Sequence, residues 1–229
     1  AAARNDVKTA LKHYDIALRA TSESPVILFP TLNDAMALSD VRDGFVPYVR
    51  QWPAWMTSYI GQAIEGVANP ADVADVLIRG GKMPVDASTR FIPPALLAKL
   101  ASKGQYRTFR QYYATLPGAK AAALTTVSMN ADSVNLRYPV AGWQLTEVPA
   151  MGGAFSKAGS GAYTLQAFAG SGERGEIMRK LLILPPGRYA FSAGYAAEVA
   201  VPDAEIRWEL FCLSGTGQRS VWTKMDRVV

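Results

Sequence analysis

The sequence predicts a multidomain chain, α first and β second: a helical-repeat-like array over residues 1–127, then an antiparallel jelly-roll-like β-sandwich over 128–229. Three observations carry this. Apolar residues recur at helical spacing through about residue 115. From TTVSMNADSVNLRYP (125–139) onward that period is lost, and short alternating runs appear between Gly-rich turns. In EIMRKLLILPPGRYAFSAGY (176–195) two strand-like runs meet across a Pro-Pro-Gly break that cannot sustain ladder hydrogen bonds.

The helices follow in order. Val7, Leu11, Tyr14 and Leu18 give an amphipathic helix over 5–20. A second is expected over Leu28 to Leu38, with Gly44 and Pro47 as breaks. Pro53 suits the first position of a helix whose face is Trp55, Tyr59, Ala63 and Val67. Further helices are expected at Pro70 to Arg79, Pro94 to Ser102 and Tyr106 to Ala114, stopped by Gly80-Gly81 and Gly104. Tyr14, Tyr59 and Tyr106 each precede a proline (Pro25, Pro70, Pro117) by 11 residues, a unit spaced 45 and 47 apart. Such a unit fits helix pairs stacked into a solenoid.

Strands are expected at Gly142 to Thr146, Ala162 to Phe168, Ile177 to Leu184, Arg188 to Tyr195, Glu205 to Leu213 and Ser220 to Met225. GGAFSKAGSG, AGSGERG and LSGTGQ read as the turns between them. Leu181 and Ile183 share one parity with Ile177 and should anchor the sandwich core. In Glu205 to Leu213, Ile206, Trp208, Leu210 and Cys212 alternate with Glu205, Arg207 and Glu209, so one face is apolar and one wet. Trp143, Tyr163 and Trp208 share parity with leucines and read as core. The lone Cys212 reads as a small buried hydrophobe and excludes any disulfide within the chain.

Composition narrows the function. Hydrophobic residues make up 49% and charged residues 19%, which suits folded domains with real cores. No apolar run is long enough to span a bilayer. The net charge is +5, but the basic excess is dispersed: 14 Lys or Arg against 10 Asp or Glu through residue 128, then 10 against 9. No nucleic-acid partner is therefore expected. His13 is the only histidine, so neither a Ser-His-Asp arrangement in the β half nor a multi-histidine metal site is available. Glu205 and Glu209 lie roughly 13 Å apart along a strand, too far for a glycosidase pair, and Arg207 between them makes a charge ladder. AGSGERG lacks the ending of a phosphate-cradling loop. Asn130, Asp132 and Asn135 match no complete Ca²⁺ loop. Neither metal nor cofactor is expected.

HYDIALRATSESP and AIEGVANP resemble the second helix of tetratricopeptide-type repeats, although a 45-residue spacing departs from the 34 of that family. GWQLT, AYTLQAF, LLILPPGRYAFSAG and EIRWELFCL resemble, over about 90 residues, the carbohydrate-binding-module-like jelly rolls of bacterial helical-repeat proteins of the cell envelope and exopolysaccharide systems. The resemblance implies a non-catalytic binding or scaffolding protein, located in the periplasm or cell envelope, with a polysaccharide or an envelope protein as partner. Trp222 shares parity with Lys224 and Asp226, which makes it the candidate sugar platform. Lys224 and the ladder Glu205, Arg207 and Glu209 are the other candidate ligand-binding residues. If the chain is instead a protein–protein adaptor, Tyr106, Arg110 and Tyr113 on the helical surface are its contacts. The third reading, a glycan-active enzyme, would act through Glu205 or Glu209.

Overall fold

The computed structural model describes residues 6–81, 83–130, 134, 137–157, 162–196, 204–214 and 217–227. Among these residues seven α-helices come first: α1 Val7–Ala20, α2 Ser24–Ala35, α3 Ser39–Gln51, α4 Met56–Gly66, α5 Pro70–Gly80, α6 Ile92–Ser102 and α7 Tyr106–Thr115. The strands follow: β1 Trp143–Leu145, β2 Glu147–Val148, β3 Met151–Lys157, β4 Tyr163–Ala169, β5 Met178–Lys180, β6 Glu205–Ser214 and β7 Gly217–Arg227. The order, helix then antiparallel strand, is the one the sequence predicts.

Local chemistry sets the helix starts. The Asp6 carboxylate caps α1 by accepting from Thr9 N at 3.0 Å. Asn69 does the same for α5, accepting from Ala71 N at 3.3 Å with Pro70 following. Pro53 does not open α4, which begins at Met56 after a turn. Gly44 and Pro47 do not interrupt α3 either.

The helices pack in two layers. Helices α1, α3, α5 and α7 touch in succession, as do α2, α4 and α6. Glycines sit where these neighbours approach. A Cβ on Gly44 would lie 2.7 Å from Leu11 of α1, on Gly66 2.5 Å from Asn33 of α2, and on Gly80 2.2 Å from Val49 of α3. Gly44 is thus a close-packing residue and not a breaker. The odd helices start at residues 7, 39, 70 and 106 and the even ones at 24, 56 and 92, a recurrence of 31 to 36 residues. The tyrosine–proline spacing is not this period. Tyr14, Tyr59 and Tyr106 lie on α1, α4 and α7, three helices apart and on alternating layers. Between the layers Tyr59, Ile60, Ala63, Leu96, Leu97 and Phe109 are wholly buried.

Compactness divides the chain into residues 1–183 and 184–229. The first strands stay with the helices because Tyr138, Ala141, Leu181 and Ile183 pack on the helical core. Leu181 and Ile183 therefore anchor that core, not a sandwich. Ile183 N donates to Leu124 O at 2.8 Å, so its amide leaves the ladder and β5 stops at Lys180. In this unit β1 pairs β5, and β2, β3 and β4 form a three-stranded antiparallel sheet. β3 is built from MGGAFSK, which the sequence reads as turn. Gly152 and Gly153 lie under Phe168 and Leu165 of β4, where side chains of their own would crowd the sheet.

In residues 184–229, β6 and β7 form an antiparallel pair. The expected strand at Arg188 to Tyr195 carries no strand pairing. Instead the Tyr189 hydroxyl donates back to Pro185 O across the Pro-Pro-Gly turn. Cys212 is exposed, contrary to its apolar parity. No helix among the described residues is long and apolar enough to cross a membrane.

Candidate binding surfaces

The first surface lies on the β6–β7 pair. Residues directly opposite in an antiparallel ladder share a face. The register sets Trp208 against Lys224, Leu210 against Trp222 and Ile206 against Asp226. Trp222 therefore lies on the same face as Trp208 and Leu210, with Lys224 and Asp226 completing it. Phe191 packs on both indoles, its ring 5.3 Å from Trp208 and 6.1 Å from Trp222. Trp222 keeps 38% of its surface exposed, and the Lys224 ammonium is 3.2 Å from the Asp226 carboxylate. An aromatic platform edged by a cation and a carboxylate can stack on a pyranose and bond its hydroxyls. Glu205, Arg207 and Glu209 point the other way, opposite Arg227, Met225 and Thr223 in register. Arg207 Nε donates to Glu209 at 2.9 Å, so the ladder is a local ion pair on the reverse face. The structure thus brings Trp222 and Lys224 together and separates the ladder from them. Phe191 was missed because it sits in an unpaired stretch that reads as strand.

The second surface lies on the odd helices. An open cleft of about 460 Å³ is lined by Arg42 of α3, Ala71, Asp72, Asp75 and Ile78 of α5, and Thr108 and Gln111 of α7. Arg42 organises it. Its Nη1 donates to the carbonyls of Met36 and Ala37 at 2.8 and 2.9 Å and lies 3.2 Å from Asp72. Its Nε is 3.3 Å from Asp75. Arg79 extends the network to Asp43 and Asp75, at 2.5 and 3.1 Å. Burial raises the Asp72 carboxyl above its ordinary range, against the pull of Arg42 and with Asp75 adding to the rise. Sequence spacing held the signal: Asp72, Asp75 and Arg79 sit at helical intervals, but only helix stacking brings Arg42 to them.

The three helical-surface candidates divide. Arg110 is exposed and Tyr106 partly buried. Tyr113 is 2% exposed, stacked on Phe109 at 6.2 Å and edge-on to Tyr138 at 5.7 Å. Lys120 N donates to its hydroxyl. Tyr113 is thus a packing residue in the folded chain. His13 is exposed on α1. Asp132 and Asn135, considered as cation ligands, lie outside the described residues, and no group of three His, Cys, Asp or Glu among the described residues could hold a metal. No protein-family model, no curated protein and no solved structure matches the chain.

Proposed function

We propose that this chain is a non-catalytic binding or scaffolding protein that engages a polysaccharide, in the setting of bacterial envelope polysaccharide assembly. In this reading the helices are a divergent tetratricopeptide-like array and the strands derive from a carbohydrate-binding-module-like jelly roll. Two-layer stacking with a recurrence of 31 to 36 residues supports the first part, since 34 is the tetratricopeptide period. The envelope setting and the periplasmic location rest on the sequence resemblance. The observation that carries glycan binding is the half-exposed Trp222 beside Lys224, Asp226 and Phe191. Catalysis is disfavoured because Glu209 is tied to Arg207.

The test is isothermal titration against neutral and acidic polysaccharides with wild type and Trp222→Ala. Binding should weaken about tenfold or more in the variant, while thermal unfolding moves little, because the exposed ring contributes chiefly to ligand contact. Equal binding by both proteins would remove the platform from the argument.

The cleft on the odd helices favours a second reading, a protein–protein adaptor. It predicts no heat with any glycan at millimolar sugar, and a partner whose binding responds to Arg110 or Gln111 and not to Trp222.

A further inference from the structure

The helix stack is covered at one end and bare at the other. Helices α1 and α3 start at residues 7 and 39, and α2 and α4 at 24 and 56, both 32 apart, so each residue of the first pair has a counterpart in the second. Gly44 of α3, the counterpart of Lys12, is pressed against Leu11 of α1. Tyr59 and Gly66 of α4, the counterparts of Ile27 and Asp34, lie on α2: the Tyr59 ring is 5.2 Å from Phe29, and a Cβ on Gly66 would meet Asn33. In the second pair this face meets the preceding helix. In the first pair it is bare, with Lys12, Ile16 and Arg19 forming a ridge on α1 and Ile27, Thr31 and Asp34 a ridge on α2, each at helical intervals of four and three residues. Ile16 is 55% and Ile27 71% exposed, whereas the end of a helix stack left to water is ordinarily polar. The far end differs: Tyr138 lies edge-on to Tyr113 of α7 at 5.7 Å, and the turn Pro139–Ala141 packs on α6. One copy's bare end therefore cannot continue onto another's far end, and only like ends can meet.

We propose that the α1–α2 face pairs two copies of this chain about a two-fold axis running along the helices, α1 of each copy on α2 of the other. The two ridges are complementary under that rotation. α1 and α2 are joined by a three-residue connection, Thr21 to Glu23, and run antiparallel. Measured down from this turn, Ile16 lies about 6 Å and Ile27 about 4.5 Å along their helices, while Lys12 lies about 12 Å and Asp34 about 15 Å. The rotation keeps each level, so it sets Ile16 on the partner's Ile27 and Lys12 beside the partner's Asp34, twice over. The Thr31 hydroxyl donates back to the Ile27 carbonyl at 3.3 Å, so the middle of its ridge needs no polar partner. The other two-fold, across the helices, would lay α1 on α1 and bring Lys12 toward the partner's Arg19, like charge on like. The face is only about 20 Å square, so the dimer is weak and reversible.

The test is sedimentation velocity on the full chain from about 1 to 300 μM, with reductant present so that the exposed Cys212 adds no disulfide. Wild type should show a monomer–dimer equilibrium with a Kd of roughly tens of micromolar. Ile27→Asp should be monomeric throughout, with an unchanged circular dichroism spectrum because the side chain it replaces is exposed. Lys12→Asp and Asp34→Lys each set like charges together at both symmetry-related contacts, so each should weaken the dimer about fivefold or more. The double variant exchanges the charges and should return to within about threefold of wild type, an outcome that general loss of stability would not produce. A monomer at every concentration in wild type, a dimer of Ile27→Asp as tight as wild type, or a double variant no tighter than the single ones would each overturn the proposal.

Discussion

Gly80→Ala tests the helix stack at its tightest point. The added Cβ would lie 2.2 Å from Val49 Cγ1 and 2.8 Å from Val49 Cβ. Carbon pairs rest at about 3.5 to 4.0 Å, so about 1.3 Å must be found. Rotating Val49 relieves the contact to Cγ1 but not the one to Cβ, which is fixed to the backbone. The helices must therefore separate, and Val49 is only 2% exposed, so the core opens with them. Overpacking of this kind costs about 1 to 3 kcal/mol. Replacing a glycine in a helix returns at most about 1 kcal/mol, and less here because Gly80 is the last residue of α5. The net loss should be about 1 to 2 kcal/mol, read as a lowered midpoint in urea unfolding followed by circular dichroism. Val49→Ala in the same chain should recover part of it, with a coupling of about 1 kcal/mol or more in the double-mutant cycle. An unchanged or raised midpoint in Gly80→Ala would refute the close α3–α5 contact, and with it the assembly of Arg42 against Asp72 and Asp75.

Two further predictions concern groups buried at a cost. The Tyr59 hydroxyl is wholly buried and has no hydrogen-bond partner among the described residues, so Tyr59→Phe should leave stability unchanged or raise it by about 1 kcal/mol in the same urea assay; a loss above about 1 kcal/mol would mean the hydroxyl has a partner. Lys180 is held near 8 in the folded chain, below its ordinary 10.5, so between those values the unfolded chain binds the extra proton and stability rises with pH. Lys180→Met should therefore stabilise the protein below about pH 8, by about 1 kcal/mol once the half-exposed position is discounted for solvent screening, and the gain should fade by about pH 10.5. A gain independent of pH would point to packing in place of charge.

The helical half was legible because its signals are local. Helical spacing found the faces that are buried, Leu11 and Leu18 on α1 and Trp55, Tyr59, Ala63 and Val67 on and beside α4. What failed there was the meaning of glycine and the period. Gly44 reads as a breaker in one dimension, yet its lack of a side chain is used sideways, against Leu11. The tyrosine–proline spacing catches every third helix, whereas the helices that touch in succession are every second one. A tyrosine on the odd layer and one on the even layer have different neighbours: Tyr14 and Tyr106 remain partly exposed and Tyr59 does not.

The β half was less legible because a strand's parity has no meaning until its register is known. Within β7 alone, Trp222 shares parity with Lys224 and Asp226, and that part holds. The further step, that this face differs from the one bearing Trp208 and Leu210, depends on pairing. The ladder places Leu210 opposite Trp222, so the two apolar sets join, and beyond that pair a register shift sets Phe211 against Ser220 and leaves Val221 over. A one-residue slip would exchange every assignment. The same dependence separates Trp222 from the Glu205, Arg207 and Glu209 ladder: the charges alternate with Trp208 on β6, so any register that joins Trp222 to Trp208 must send the ladder to the reverse face. The platform and the ladder are thus mutually exclusive as parts of one site. A glycan bound at Trp222 should therefore be indifferent to the loss of Glu205 or Glu209.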